Sequence, residues 1–174
     1  MSTIKRINES YVTMNDVRRL ANYCENSEYF YKRQCFGTNP LNTDCMLNSM
    51  ERVKRMWQKE DGNQVHHLVF CIQPRKKLEE KIKLLYTEDV LYTIGNYLDI
   101  KGFQSIGYIH DKHSKYYFSY TPDVFENVHI HLIINSVNGF TGLKLTNIRS
   151  FLKDILLLLK QEYPGLNWDM ILYK

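Results

Sequence analysis

The stretch VHIHLIINS, residues 128–136, limits the fold more than any other part of the chain. It is dense in β-branched and apolar residues and too short to span a bilayer, which makes it a strand. Side chains alternate along a strand, so His129 and His131 leave one face while Ile130 leaves the other. Two imidazoles side by side are half of a metal site. If a second strand, SIGYIH (105–110), pairs with this one, His110 at its end supplies a third ring, with His113 as the weaker substitute. A lone strand histidine is usually a hydrogen-bonded core or surface residue. Three of them ending neighbouring strands favour an ion with positions open to substrate oxygens. His66 and His67 are consecutive, face opposite ways and cannot both join such a cluster; both are read as structural or DNA-contacting.

The rest of the chain alternates helices with strands. TIKRIN (3–8) reads as a short strand. Asn15 offers an N-cap for a helix carrying Val17, Leu20, Ala21 and Cys24 on one face, and Thr43 or Asp44 caps a second helix through Met46, Leu47, Met50, Val53 and Trp57. CFGTNPL (35–41) is a turn, and VHHLVFCIQ, ending at Pro74, is a buried strand. A third helix is expected near 87–99. The last, capped by Thr146, buries Ile148, Phe151, Leu152, Ile155, Leu156 and Leu159 and stops at Pro164 and Gly165. An insert containing KYYFSYTPD is a hairpin or loop. These elements predict one layered α+β unit over residues 1–174, with helices packed on one sheet face and the other face open for a site.

Composition sets outer bounds. With 174 residues and 44% hydrophobic content the chain can bury a core, and its net charge of +4 suits a polyanionic partner without requiring one. Cys24, Cys35, Cys45 and Cys71 form no CxxC pair, so neither a zinc ribbon nor a secreted disulfide framework is indicated. The N-terminus has no signal-peptide pattern and no apolar run is long enough to span a bilayer, so a cytoplasmic protein without a membrane partner is expected.

HIHLIINSVNGFTGLK (129–144), with Asn135, Asn138, Thr141 and Gly142, resembles the third motif of the HUH-type relaxases, the mobilisation nucleases of plasmids and conjugative elements. HLVFCIQP (67–74) is similar to that family's second-motif strand, GTNPLNTDCMLNSMERVKRMW to the turn and helix before it, and LANYCENSE (20–28) to the segment holding the nucleophile. The resemblance covers most of the chain in the family's order. Departures are the absence of Lys-Thr after the tyrosine segment, Cys71 at the usual serine, the insert between His110 and His129, and no C-terminal helicase or primase extension.

The resemblance implies a central antiparallel sheet of the HUH-endonuclease, ferredoxin-like palm type. It makes Tyr23 the nucleophile, with Tyr11, Tyr29 and Tyr31 as competitors, and His110, His129 and His131 the ligands of Mn²⁺ or Mg²⁺. Asp111 falls close to a family acidic residue that orients a ligand or the tyrosine. The implied reaction is nicking of single-stranded DNA at an origin of transfer through a 5′-phosphotyrosine, with religation by its reversal. Accessory mobilisation and transfer-apparatus proteins are implied partners. Arg18, Arg19, Arg75, Lys76, Lys77 and Lys112 are candidate phosphate contacts, and the tyrosines from 116 to 120 candidate stacking platforms. Two alternatives stand beside this: a non-catalytic DNA-binding relative, and a replication initiator or single-strand transposase, whose tyrosine follows the histidine strand and would here be Tyr163 or Tyr173.

Overall fold

A computed structural model describes residues 2–73, 80–111 and 128–171. Its elements in chain order are β1 (Ser2–Arg6), α1 (Met14–Glu25), β2 (Phe30–Phe36), α2 (Thr43–Met56), β3 (Val65–Cys71), α3 (Glu80–Ile100), β4 (Ser105–Asp111), β5 (Val128–Asn135), α4 (Ile148–Glu162) and β6 (Trp168–Ile171). The strands form one open sheet in the order β2-β4-β5-β3-β1-β6. Every pairing is antiparallel except that of β6 with β1.

The α+β class and the HUH-type sheet agree with the sequence reading, and two details correct it. The sheet is mixed, because β6 returns from α4 alongside β1 in the same direction. Helices lie on both faces rather than one. Ile130, Leu132 and Ile134 of β5 pack with Leu68 and Phe70 of β3 against Val90, Leu91 and Ile94 of α3 and Phe151, Leu152 and Ile155 of α4. On the other face Val65, Ile106, Tyr108 and Ile133 are covered by Val17, Leu20 and Cys24 of α1 and Met46, Leu47 and Met50 of α2. Next to that second cover, on the same face, His67, His110 and His131 are buried and His129 is half-buried.

Local chemistry sets the helix starts. Thr13, not Asn15, caps α1: its side chain accepts from the Asp16 N–H while the Asp16 carboxylate accepts from the Thr13 N–H, a capping box worth about 1 kcal/mol. Asn42 rather than Thr43 or Asp44 caps α2, and Asn147 rather than Thr146 caps α4, each through a side-chain oxygen that takes an N–H three residues on. The helix expected near 87–99 begins at Glu80. Two edge strands are absent from the sequence reading. FYKRQCF of β2 carries Lys32, Arg33 and Gln34 and is only half-buried, so it has no clear hydrophobic period, and WDMI of β6 is four residues long.

The Asn-rich turn after β5 is a structural clasp. The Asn138 side chain accepts from the N–H groups of Phe140 and Thr141 and donates to the Lys101 carbonyl at the end of α3. Asn135 donates to the Met50 carbonyl on α2 and to Gln104. Gly142 has φ of +69° and lies against the Trp57 ring, with no room for a Cβ.

Candidate active site

Strand register assembles the histidines. His110 on β4 and Cys71 on β3 both stand opposite His129 on β5, and Tyr108 and Val69 flank His131 in the same way, so all share one face. His110, His129 and His131 each offer a ligand atom within 4.8 Å of the others. The Nε2 atoms of His129 and His131 are 3.1 Å apart. That is close to the spacing of two adjacent imidazoles bound about 2.1 Å from one ion, so the donor set fits a divalent metal.

The last turn of α1 is tied to this cluster. His110 donates from Nε2 to the Cys24 carbonyl at 2.7 Å. A carbonyl only accepts, so this bond fixes the proton of a neutral His110 on Nε2 and makes Nδ1 the nitrogen that carries the lone pair.

His67 is brought alongside His131 by the structure. It points to the same face as His131, and its Nε2 lies 2.9 Å from His131 Nδ1. Its Nδ1 is 3.1 Å from the oxygen of the Tyr11 hydroxyl, which donates its one proton to Glu9 at 3.0 Å. Burial pulls the His67 pKa down to about 4 and, with Glu9 adding, pushes that of Tyr11 well above the usual phenol range. A second group, Cys24, His67 and His131, also brings three ligand atoms within 4.8 Å. His66 faces the opposite way and bonds the Leu145 carbonyl. A signal for His67 was available: it has the parity of Cys71, the second-motif position that shares the histidine face.

Tyr23 is on α1, 66% exposed, and its ring stands edge-on to His131 with centroids 6.2 Å apart. The competing tyrosines are differently placed. Tyr11 is buried in the His67 contact, Tyr29 gives its carbonyl to the Asp111 N–H at the start of β2, and Tyr31 donates to Glu88 on α3. Tyr163 is buried in the core on the opposite sheet face, where it donates to Asp89; burial and that carboxylate push its pKa to about 12. Tyr173 lies outside the described residues.

Beside Tyr23 a cavity of about 680 Å³ is lined by Glu9, Tyr11, Arg19, Tyr23, His67 and His131, among others. Arg19, one helical turn before Tyr23, pairs with Asp16 yet remains largely exposed. Arg18 points elsewhere, donating to Asn48 and standing 3.7 Å from Asp44, so it helps hold α1 to α2. Asp111 is not brought to the triad. It pairs with Val128, a residue of the α3–α4 core, so its side chain leaves the face opposite His110. Arg75, Lys76, Lys77, Lys112, His113 and the insert tyrosines lie outside the described residues.

Comparison with known proteins agrees with this geometry at the level of family. The family model for the relaxase MobA/VirD2-like nuclease domain matches residues 20–161, which takes in Tyr23 and both strands that carry the three histidines. Neither curated proteins nor solved structures returned a match. Relaxase nucleases nick DNA and depend on a metal, and this chain has histidine groups able to hold one. No helix among the described residues is long and apolar enough to cross a membrane. The chain therefore belongs to the relaxase family, as a MobA/VirD2-like nuclease domain.

Proposed function

We propose that this chain is a relaxase acting as a single unit over residues 1–174, nicking single-stranded DNA at an origin of transfer with Tyr23 as nucleophile. The observation that carries this is the Tyr23 ring standing edge-on to His131, 6.2 Å between centroids, on the rim of an open cavity. His110, His129 and His131 would hold Mn²⁺ or Mg²⁺. A divalent ion held there would stabilise the negative charge that builds on a scissile phosphate.

The chain's own residues do the rest. A phenol with a pKa near 10 is a weak nucleophile at neutral pH. Tyr23 faces solvent, so water can take its proton as the phenolate oxygen attacks phosphorus in line. One P–O bond forms to Tyr23, the P–O bond to the 3′-oxygen breaks, and that oxygen takes a proton from water. The bond broken and the bond formed are both phosphate esters, so reversal reseals the strand without ATP. Arg19, at the cavity beside Tyr23, is positioned for a phosphate of the incoming strand. Arg18 is engaged between helices, and Asp111, on the far face, has no part in this scheme. The basic residues Arg75, Lys76, Lys77 and Lys112 would extend the DNA track. Accessory mobilisation and transfer proteins are the proposed partners, and the cytoplasm the proposed compartment.

The test is incubation with labelled single-stranded DNA pools and Mn²⁺, followed by denaturing gels and mass spectrometry of the modified peptide. A denaturant-resistant adduct on Tyr23 is expected. Tight binding of DNA and Mn²⁺ with no adduct would overturn the enzyme reading and indicate a DNA-binding relative. An adduct on Tyr163 would mean the transposase-like arrangement.

A further inference from the structure

Around the triad lies a chain of polar contacts that the nicking scheme does not use. Glu9 and Tyr11 come from the segment between β1 and α1, His67 from β3, and His131 from β5. Tyr11 and His67 are both buried, and each link is within hydrogen-bond distance: 3.0 Å from Tyr11 to Glu9, 3.1 Å from Tyr11 to His67, and 2.9 Å from His67 to His131.

The direction of every link follows from the first. A carboxylate only accepts, so the single proton of the Tyr11 hydroxyl goes to Glu9. Toward His67 the Tyr11 oxygen must then accept, which puts the His67 proton on Nδ1. A neutral imidazole that donates at Nδ1 accepts at Nε2, so His67 Nε2 takes a proton from His131 Nδ1. The lone pair of His131 is thereby on Nε2, the atom 3.1 Å from His129 Nε2. Had the chain ended in a donor instead of Glu9, the same logic would run backwards and put the proton on the nitrogen that faces the site.

We propose that Glu9, Tyr11 and His67 form a one-way hydrogen-bond relay that holds His131 in its Nδ1–H tautomer and so presents Nε2 to the metal, with His67 as the positioning residue. Rings fixed in this way bind metal more tightly because no tautomer change is needed on loading. The inference rests on the reading of His131 as a metal ligand. The competing arrangement is an ion held by Cys24, His67 and His131. It would replace the His67–His131 hydrogen bond, whose 2.9 Å length is that of an ordinary N–H···N contact.

Long-range ¹H–¹⁵N NMR of metal-free wild-type protein, labelled at histidine, reads the tautomer of His131 without any metal and without any variant. Nδ1–H is expected; Nε2–H overturns the relay. Calorimetric titration with Mn²⁺ alone then compares variants whose folding is checked by thermal unfolding. His67→Phe is expected to weaken binding roughly 10- to 100-fold. His67→Gln, whose amide oxygen can still accept from His131, should recover most of the loss, and Tyr11→Phe should fall between. Folded His67→Phe with wild-type affinity would overturn the proposal, as would a second equivalent of Zn²⁺ that Cys24→Ser removes. Wild-type protein with the Nδ1–H tautomer and no Mn²⁺ uptake would support the relay and sink the metal-site reading instead.

Discussion

The phenol ring of Tyr23 meets the imidazole of His131 nearly at right angles, 88° between planes, although one sits on the first helix and the other on the fifth strand. The contact depends on α1 being pinned by its own last turn, where the Cys24 carbonyl accepts from His110. One backbone group thus sets the tautomer of His110 and ties the triad to the helical turn that follows Tyr23.

Tyr23→Phe removes one oxygen from an exposed side chain. Stability should change by less than about 0.5 kcal/mol, while the covalent DNA adduct disappears. Tyr163→Phe should behave oppositely, losing the bond to Asp89 at a cost of about 1 kcal/mol and leaving adduct formation intact. Gel assays and urea melts on both variants separate the two roles, and an adduct surviving in Tyr23→Phe would reassign the nucleophile.

Mn²⁺ should raise the melting temperature of the wild-type protein, since binding to the folded chain alone stabilises it by about 2.7 kcal/mol at a hundredfold excess over Kd. The double variant His129→Ala, His131→Ala should fold and show no such rise. A Mn²⁺-dependent shift that persists in it would put the ion elsewhere.

Lys54 is fully buried at the end of α2, with its ammonium 3.8 Å from the Met14 sulfur. Burial, with Lys144 adding, pulls its pKa from 10.5 to about 7. Below about pH 7 the lysine is charged in both folded and unfolded chains, and the folded chain bears the whole desolvation cost. Between about 7 and 10.5 the unfolded chain binds the proton that the folded one has released, so this group makes stability rise with pH across that window. Lys54→Met should flatten that rise in urea unfolding from pH 6 to 10 and lift Tm at pH 6 by at least about 3 °C. Parallel pH profiles for variant and wild type would refute it.

Gly142→Ala should destabilise the protein by about 1–3 kcal/mol, because φ of +69° disfavours a side chain and the new methyl would run into Trp57. Trp57 reports directly: its indole N–H bonds the Gly139 carbonyl, so its fluorescence should shift with the clasp. Unchanged fluorescence and stability would mean that the turn yields more freely than this packing allows.

Much of this was legible in the residues alone. Alternation along VHIHLIINS puts His129 and His131 on one face, and the apolar stripes of α1, α2 and α4 mark their buried sides, because strand and helix periods are local properties of the backbone. Register was not local. That β4 and β3 both flank β5, bringing His110 to His129 and His67 to His131, depends on which strands lie side by side, and segments 64 residues apart carry no mark of their pairing. The same holds for the polar edge strand β2, for the parallel return of β6, and for Asp111, adjacent to His110 in sequence yet on the other side of the sheet. The residues by themselves determined which groups could act as ligands and nucleophile. Tertiary structure decided which of them meet, because the strand order that buries apolar surface on both sheet faces is also what sets the histidine-bearing strands side by side.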